Sequence, residues 1–587
     1  MNLSHGARLR WLALLLAFAP VFPVQAQDTR PVPTPEPAAA LAAKPPGSAI
    51  SSQHHLATDA GLAILAQGGN AFDAAIAVSS VLSVVEPTSS GLGGGAFFLL
   101  RDGGSGREVM VDARETAPAS ARPELYLDAE GALDQDKARN GPLSAGIPGL
   151  PAGLVHLAEH YGKLPLSTSL APAIRIAREG FEVYARIVDG YASRREVMER
   201  FAGTRKVFLA DGDPPELGET LVQPDLARTL ELLAREGVAG FYRGEVARKI
   251  LADVNRHGGR WTAQDLSGYA VKEREPIRFR YRGWDIVTAP PPSSGGIALA
   301  QMLQVLEGWD LAALDEPERV HFIVEAMRRA YRDRTVYLGD PDFVRMPVAR
   351  LTSDDYAAGL RASILPDKAT PSDMLPAGLP PADSPYTSHF SIIDGEGNLV
   401  AATQTVNLTY GSGMVVDGAG FLLNDEMDDF ALKPGTPNAF GVMGFDANAV
   451  EPGKRMLSSM TPSFMVGPGK IAVLGGKGGS RIITLTLLAM LGIEIGLDPQ
   501  AIVDLPRFHH QYLPDEISAE PGVFSAETAA ALEGMGYDIK ASAAPWSSFV
   551  HIVDWDRRAN VLRGGADPRN PVGKAAVDVR PAPASQP

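Results

Sequence analysis

Residues Thr387 to Val406 read as a β-hairpin, and no other segment constrains the chain as much. Phe390, Ile392 and Ile393 supply apolar, β-favouring mass, and Gly395-Glu396-Gly397 supplies a candidate turn before a second strand over 399–406. If those three residues form the loop, Asp394 faces Asn398 and Thr387 stands opposite Thr405, with Asn407 following on the same side. A one-residue slip would bring Gln404 or Val406 there instead. A Pro-rich run, Pro376 to Pro385, leads into the first strand. A loop feeding a strand that opens with Thr is what a self-cleaving enzyme needs. Once the bond before Thr387 is cut, the Thr387 hydroxyl has its own α-amine beside it as a base. The competing reading is a Thr that merely opens an ordinary strand, and the rest of the chain has to decide.

The 587 residues are enough for a large core, and the net charge of −15 with interspersed charges argues against a nucleic-acid partner. Cysteine is absent, which excludes a disulfide framework, a Cys nucleophile and Cys-ligated metal. Met1 to Ala26 read as a signal peptide: Arg8 and Arg10 precede the apolar run Trp11 to Ala19, and Val24-Gln25-Ala26 fits a cleavage site. Export to a periplasm or the medium is therefore expected, without stable membrane insertion. Residues 27–46 are rich in Pro and Ala and read as a linker.

Beyond the linker, helical spacing begins at His54 and again near Ala71, and strands are expected over 96–100 and 108–112. The middle, from about 150 to 350, reads as mostly helical. After Thr387 strands return at 387–394, 399–406, 470–475 and 548–554, with helices at 481–495 and 525–535. Partial segregation of this kind points to a layered α+β fold with antiparallel sheets.

Several segments carry candidate chemistry. Gly475 to Arg481 lies between a strand and a helix, so its backbone N–H groups suit an oxyanion; a tight packing turn is the alternative. Neither this run nor Thr88 to Gly95 matches a nucleotide-binding motif. His54-His55 and His509-His510 are adjacent pairs whose side chains diverge, and H-E-x-x-H is absent, so no metal and no cofactor is expected. Asp425, Glu426, Asp428 and Asp429 place four carboxylates in five positions between a strand end and Phe430. Any that face inward need a cation, most simply an ammonium group. With Arg114 and the hydroxyl pair Ser458-Ser459 they could clamp an amino-acid head group, Arg114 and the serines on the carboxylate and the acids on the amine.

Taken together the chain resembles the γ-glutamyltranspeptidase family. The likeness rests on Gln67 to Ala75, Glu86 to Gly95, Asp112 to Glu115, Tyr161 to Pro165, Pro292 to Gly296, Thr387 to Ser391, Asn424 to Phe430, Leu457 to Met460, Gly478 to Arg481 and Pro506 to His510, in the family's order. It implies an N-terminal-nucleophile (Ntn) hydrolase, a four-layer αββα sandwich. It also implies a precursor cut between Tyr386 and Thr387 into a large subunit of about 27–386 and a small one of 387–587. By matching position, Thr387 is the nucleophile, Thr405 supports its hydroxyl, and Gly478 and Gly479 form the oxyanion hole. Arg114, Ser458 and Ser459 would hold the α-carboxylate of a γ-glutamyl group, and Asn407, Glu426 and Asp429 its α-amine. The implied donor is glutathione or a related γ-glutamyl compound, and the acceptor is an amino acid, a peptide or water.

Two departures stand out. The lid segment Lys433 to Gly441, which includes Pro434, has Phe440 where many bacterial relatives carry Tyr, and Lys477 stands where a Pro usually precedes the glycines. A cephalosporin (glutaryl) acylase on the same fold is the runner-up. Glu426 and Asp429 oppose it, because a glutaryl group has no amine to meet them, and so does the lid, which such acylases generally lack. An unprocessed binding protein is the third reading, opposed by the presence of Thr387, Thr405 and both glycines.

Overall fold

Side chains that alternate along a strand feed two different apolar layers, and this alternation builds the molecule. The structure is a computed structural model that describes residues 41–209, 212–375 and 387–579. In strand Gly95–Arg101, Phe98 and Leu100 turn to one layer and Phe97 and Leu99 to the other. In Leu399–Thr405, Val400 and Ala402 oppose Leu399 and Ala401 in the same way.

Two antiparallel sheets result. The first runs Lys574–Val579, Gly47–Ser52, Ser388–Ile393, Leu399–Thr405, Gly95–Arg101, Glu108–Ala113 and Lys272–Arg274 in spatial order. The second runs Val561–Gly565, Phe549–Asp556, Lys470–Lys477, Ser463–Val466, Trp284–Thr288 and Ile277–Tyr281. Phe97, Leu99, Ile393, Ala401, Phe464, Val473 and Val553 fill the layer between them. Helices Ala71–Val85, Leu150–His160 and Pro224–Glu236 share a core with the outer face of the first sheet. Helices Gly295–Leu306, Glu316–Tyr337 and Ile482–Glu494 do so for the second. The order helix, sheet, sheet, helix is the αββα sandwich of the Ntn hydrolases.

The hairpin has the expected register. Ile393 pairs with Leu399 and Ser388 with Gln404, so the next position puts Thr387 across from Thr405. Asp394 fixes the turn, its Oδ1 accepting from Glu396 N at 2.9 Å and Asn398 N at 3.0 Å. Its Oδ2 accepts from Ala71 N at 2.8 Å, at the start of a helix that is buried along its whole length. One turn residue thus locks the hairpin to the layer behind it.

The stretch 150–350 is mostly helical, as expected, and it holds strands that the sequence reading did not place. That stretch also contains Lys272–Arg274, Ile277–Tyr281 and Trp284–Thr288. Arg278 and Arg280 point to solvent while Phe279 and Tyr281 are buried, so a charged edge hairpin was masked by its exposed face. Residue 42, at the end of the stretch read as a linker, is bonded: Ala42 N donates to Arg557 O at 2.8 Å, and Arg557 Nε donates to Ala42 O at 3.2 Å. The signal segment, most of the linker, the Pro-rich run and Tyr386 lie outside the described residues.

Candidate active site

The sheets approach closely where His389 covers Gly475. A Cβ at Gly475 would lie 2.3 Å from the His389 ring, so only glycine allows the contact. The ring is within 2.8 Å of Thr403 Oγ1 and 3.2 Å of Ser391 Oγ, and burial holds its pKa well below the ordinary value. It is a neutral packing imidazole.

Next to this crossing lies a narrow cleft. Thr387, Thr405, Asn407 and Gly479 line it, as do Arg114, Glu426, Asp429, Ser458, Ser459 and Phe440. Gly478 adjoins Gly479 without lining the cleft, and Pro434 sits exposed in the outer turn of the lid. Residues from six other stretches of sequence therefore converge on Thr387.

Gln53 Nε2 donates to Thr387 O at 3.2 Å, and Ser388 Oγ donates to Gln53 Oε1 at 3.4 Å. Thr405 Oγ1 accepts from Asn407 N at 2.8 Å. Asn407 adopts a left-handed conformation, φ 74°, and its Nδ2 donates to Asp425 O at 3.0 Å. Strand Lys470–Lys477 ends in Gly478 and Gly479, with φ of 146° and 57°, before the short turn Gly479–Arg481 and helix Ile482–Glu494. Glycine tolerates both conformations, and successive N–H groups here precede a helix N-terminus. Such donors can hold a developing oxyanion.

The clamp residues are bonded to one another. Arg114 is fully buried, and its Nη1 donates to Glu426 Oε2 at 2.6 Å while its Nη2 donates to Asp429 Oδ2 at 2.6 Å. Nη1 also reaches Glu115 Oε2 at 3.4 Å, and Nε donates to Met456 O at 3.2 Å. Burial raises the pKa of Glu115 to about 7 against the pull of Arg114, and it raises that of Glu426 too. Glu426 Oε1 and Glu115 Oε1 are buried with no hydrogen-bond partner among the described residues. Glu426 is held in place by Asn424, whose Oδ1 accepts from Glu426 N at 3.0 Å.

Ser458 and Ser459 are gripped by Pro292 to Ser294. Ser458 N donates to Pro292 O at 2.8 Å, and Ser294 Oγ donates to Ser458 O at 2.8 Å. Arg334, on helix Glu316–Tyr337, donates from Nη2 to Ser459 Oγ at 3.2 Å and from Nε to Ser294 Oγ at 3.0 Å. Arg334, Glu115 and Gln53 were not among the residues expected from sequence. Arg334 sits in a helix crowded with arginines, where nothing sets it apart from its neighbours.

The lid crosses the cleft through Phe440 and is held by polar contacts. Gln511 Nε2 donates to Phe440 O at 3.1 Å, Ala439 N to Asp428 Oδ2 at 2.7 Å, and Asn438 Nδ2 to Asp429 Oδ1 at 3.1 Å. Lys477 is fully buried, donates to Ser89 Oγ at 3.1 Å and lies 5.0 Å from the Phe549 ring centroid. Burial pushes its pKa well below the ordinary value. The histidine pairs are occupied: His54 Nδ1 accepts from Leu56 N, and His509 bonds Thr484 and Gln511. Among the described residues no group of three or more His, Asp or Glu could hold a metal ion.

A Thr at the head of a central strand, facing a glycine turn inside an αββα sandwich, defines the Ntn hydrolase class. A family model for γ-glutamyltranspeptidase matches residues 57–577. The glutathione hydrolase proenzyme of Pseudomonas sp. strain A14 is 42% identical, over 84% of this chain and 86% of that one. The glutathione hydrolase proenzyme of Escherichia coli K12 is 41% identical, over 89% and 90%. A solved cephalosporin acylase from Bacillus halodurans superposes with a TM-score of 0.80 at 31% identity, covering 94% of this chain and 98% of that one. This chain belongs to the γ-glutamyltranspeptidase family. It is an enzyme, an autoprocessed γ-glutamyltransferase and hydrolase.

Proposed function

We propose that the chain cuts itself between Tyr386 and Thr387 and then uses Thr387 on γ-glutamyl amides, glutathione among them. The products would be a large subunit of about 27–386 and a small one of 387–587, exported by a signal segment over 1–26. No described helix is long and apolar enough to cross a membrane.

In this reading Thr387 Oγ adds to the γ-carbonyl carbon while its proton passes to the residue's own α-amine. An unperturbed α-amine has a pKa of roughly 7.7–8.0, so a useful fraction is neutral near pH 7–8. Backbone N–H groups of Gly478 and Gly479 receive the oxyanion, and Thr405 supports the hydroxyl. The C–N bond breaks, the amine leaves with the proton, and a γ-glutamyl ester remains. Water attacks the ester to give glutamate, or an amino acid or peptide amine attacks it to give a new γ-glutamyl amide.

The observation that carries the reading is the orphaned Glu426 Oε1 in the cleft beside Thr387. A buried acceptor with no donor is the place for a substrate ammonium, with Asp429 and Asn407 near it. The Bacillus halodurans match favours a second reading, an acylase for glutaryl-type groups. A glutaryl group would leave Glu426 Oε1 unsatisfied, and the lid opposes it as well. The test is turnover of matched γ-glutamyl and glutaryl anilides. The γ-glutamyl compound should be strongly preferred, and Thr387→Ala should abolish release. A preference for the glutaryl compound would move the assignment to the acylase.

A further inference from the structure

Thr387 stands one residue beyond the sheet pairing that carries it. The ladder with Leu399–Thr405 ends where Ser388 meets Gln404, and the ladder with Gly47–Ser52 ends where Phe390 meets Ser52. The Thr387 carbonyl is held by a side chain, that of Gln53, the first residue after strand Gly47–Ser52, whose Nε2 donates to it at 3.2 Å. Gln53 is fully buried, and its Oε1 accepts from Ser388 Oγ at 3.4 Å. A carbonyl oxygen only accepts, so the amide can face Thr387 only with its nitrogen. The Gln53 backbone is pinned in turn. Asn570 Nδ2 donates to Gln53 O at 2.8 Å, and Arg186 Nη2 donates to Asn570 Oδ1 at 3.2 Å. Arg186 lies over the Phe549 ring at 4.4 Å and within 3.7 Å of Glu86. A chain of polar contacts thus runs from Glu86 to the back of Thr387.

A chain terminus has one peptide bond to hold it and frays unless it is tied down. For a nucleophile whose base is its own α-amine, rotation about the Cα–C bond swings hydroxyl and amine together away from the oxyanion donors. A hydrogen bond to the carbonyl stops that rotation without touching either reacting group. We propose that Gln53 is a positioning residue for turnover: in the mature enzyme it fixes the Thr387 carbonyl, and with it the direction in which the hydroxyl and the α-amine point. The inference rests on the reading of Thr387 as an N-terminal nucleophile. Before the cut the chain holds Thr387 from both sides, so self-cleavage depends on Gln53 less than turnover does.

The test is steady-state turnover of a γ-glutamyl anilide by matured Gln53→Leu and Gln53→Glu across pH. If the unmodified enzyme is not cut before Thr387, or does not turn over the anilide, the γ-glutamyl reading fails before Gln53 is at issue. With turnover in hand, Gln53→Leu should lower kcat by about tenfold, the effect of one lost hydrogen bond, and move KM by less than about twofold. Gln53→Glu keeps the shape of the side chain. Ionised, it offers Thr387 O no donor; protonated, its O–H replaces the amide N–H. The ratio of its kcat to that of the unmodified enzyme should therefore rise by about fivefold or more as pH falls from about 8 to about 5, while the ratio for Gln53→Leu stays flat. A flat ratio for Gln53→Glu would mean that Gln53 only packs, and unchanged kcat in both variants would mean that it is idle; either result overturns the proposal. If Gln53→Leu fails to mature, the pH dependence of Gln53→Glu carries the test. Failure of both to mature would also overturn it, because the uncut chain should not need the contact.

Discussion

Arg114 donates to Glu426 across 2.6 Å with both side chains sealed from solvent. Residues assigned to opposite ends of one amino-acid head group are thus each other's partners. Replacing Arg114 with Gln would leave Glu115, Glu426 and Asp429 without their guanidinium. The expected cost is about 3–5 kcal/mol of stability, together with a higher KM for the donor. Urea unfolding of the mature protein measures the first and initial-rate kinetics the second. A variant as stable as the parent would mean that the acids shed their charge at no cost.

Proton uptake follows from the same cluster. Burial raises Glu115 from an ordinary 4.5 to about 7 and raises Glu426 in the same direction. The stability contributed by the Glu115 proton is fully present below pH 4.5 and is lost as pH rises through about 7. A substrate ammonium at Glu426 favours the charged form, so binding at or below neutral pH should expel a proton and weaken as pH falls. Calorimetric titration with glutamate in two buffers of different ionisation heat reads this directly. Identical heats in both buffers would refute it.

Gly478 has φ of 146°, and a Cβ there would lie 2.6 Å from Ser548 Oγ. Gly478→Ala should twist the donors out of line and lower kcat by about 10²–10³, with a far smaller effect on KM. Maturation should slow as well, since the same turn would stabilise the oxyanion of self-cleavage. A gel time course beside steady-state kinetics separates the two effects.

Lys477 is a buried amine with one hydroxyl acceptor and a depressed pKa. Lys477→Met keeps its bulk and removes the desolvation cost. Stability should be unchanged or improved by up to about 4 kcal/mol, with kcat within about twofold, because the side chain is directed to Ser89 and Phe549. Thermal unfolding checks this, and a marked loss of stability would show that the charge is needed.

Much of the fold was legible because its strands alternate cleanly. Phe390 and Ile392 facing one layer, with Gly395 to Gly397 as the turn, were enough to set the register that puts Thr387 across from Thr405. The hairpin over 277–288 was hidden by Arg278, Arg280 and Asp285, whose outward charges break the apolar pattern of a strand. In the site, Arg114, the acids and the serines could be found because unusual residue clusters mark them. Their mutual pairing could not, since sequence gives residue types without distances. Arg334 and Glu115 were illegible for the same reason: their significance lies in which partners they have and which they lack.

The central claim is that Thr387 becomes a chain terminus. N-terminal sequencing and intact mass of the purified protein test it most directly. The account requires two chains, the smaller beginning Thr387-Ser388-His389, and a Thr387→Ala variant that stays in one piece. A single active chain with the Tyr386–Thr387 bond intact would contradict it.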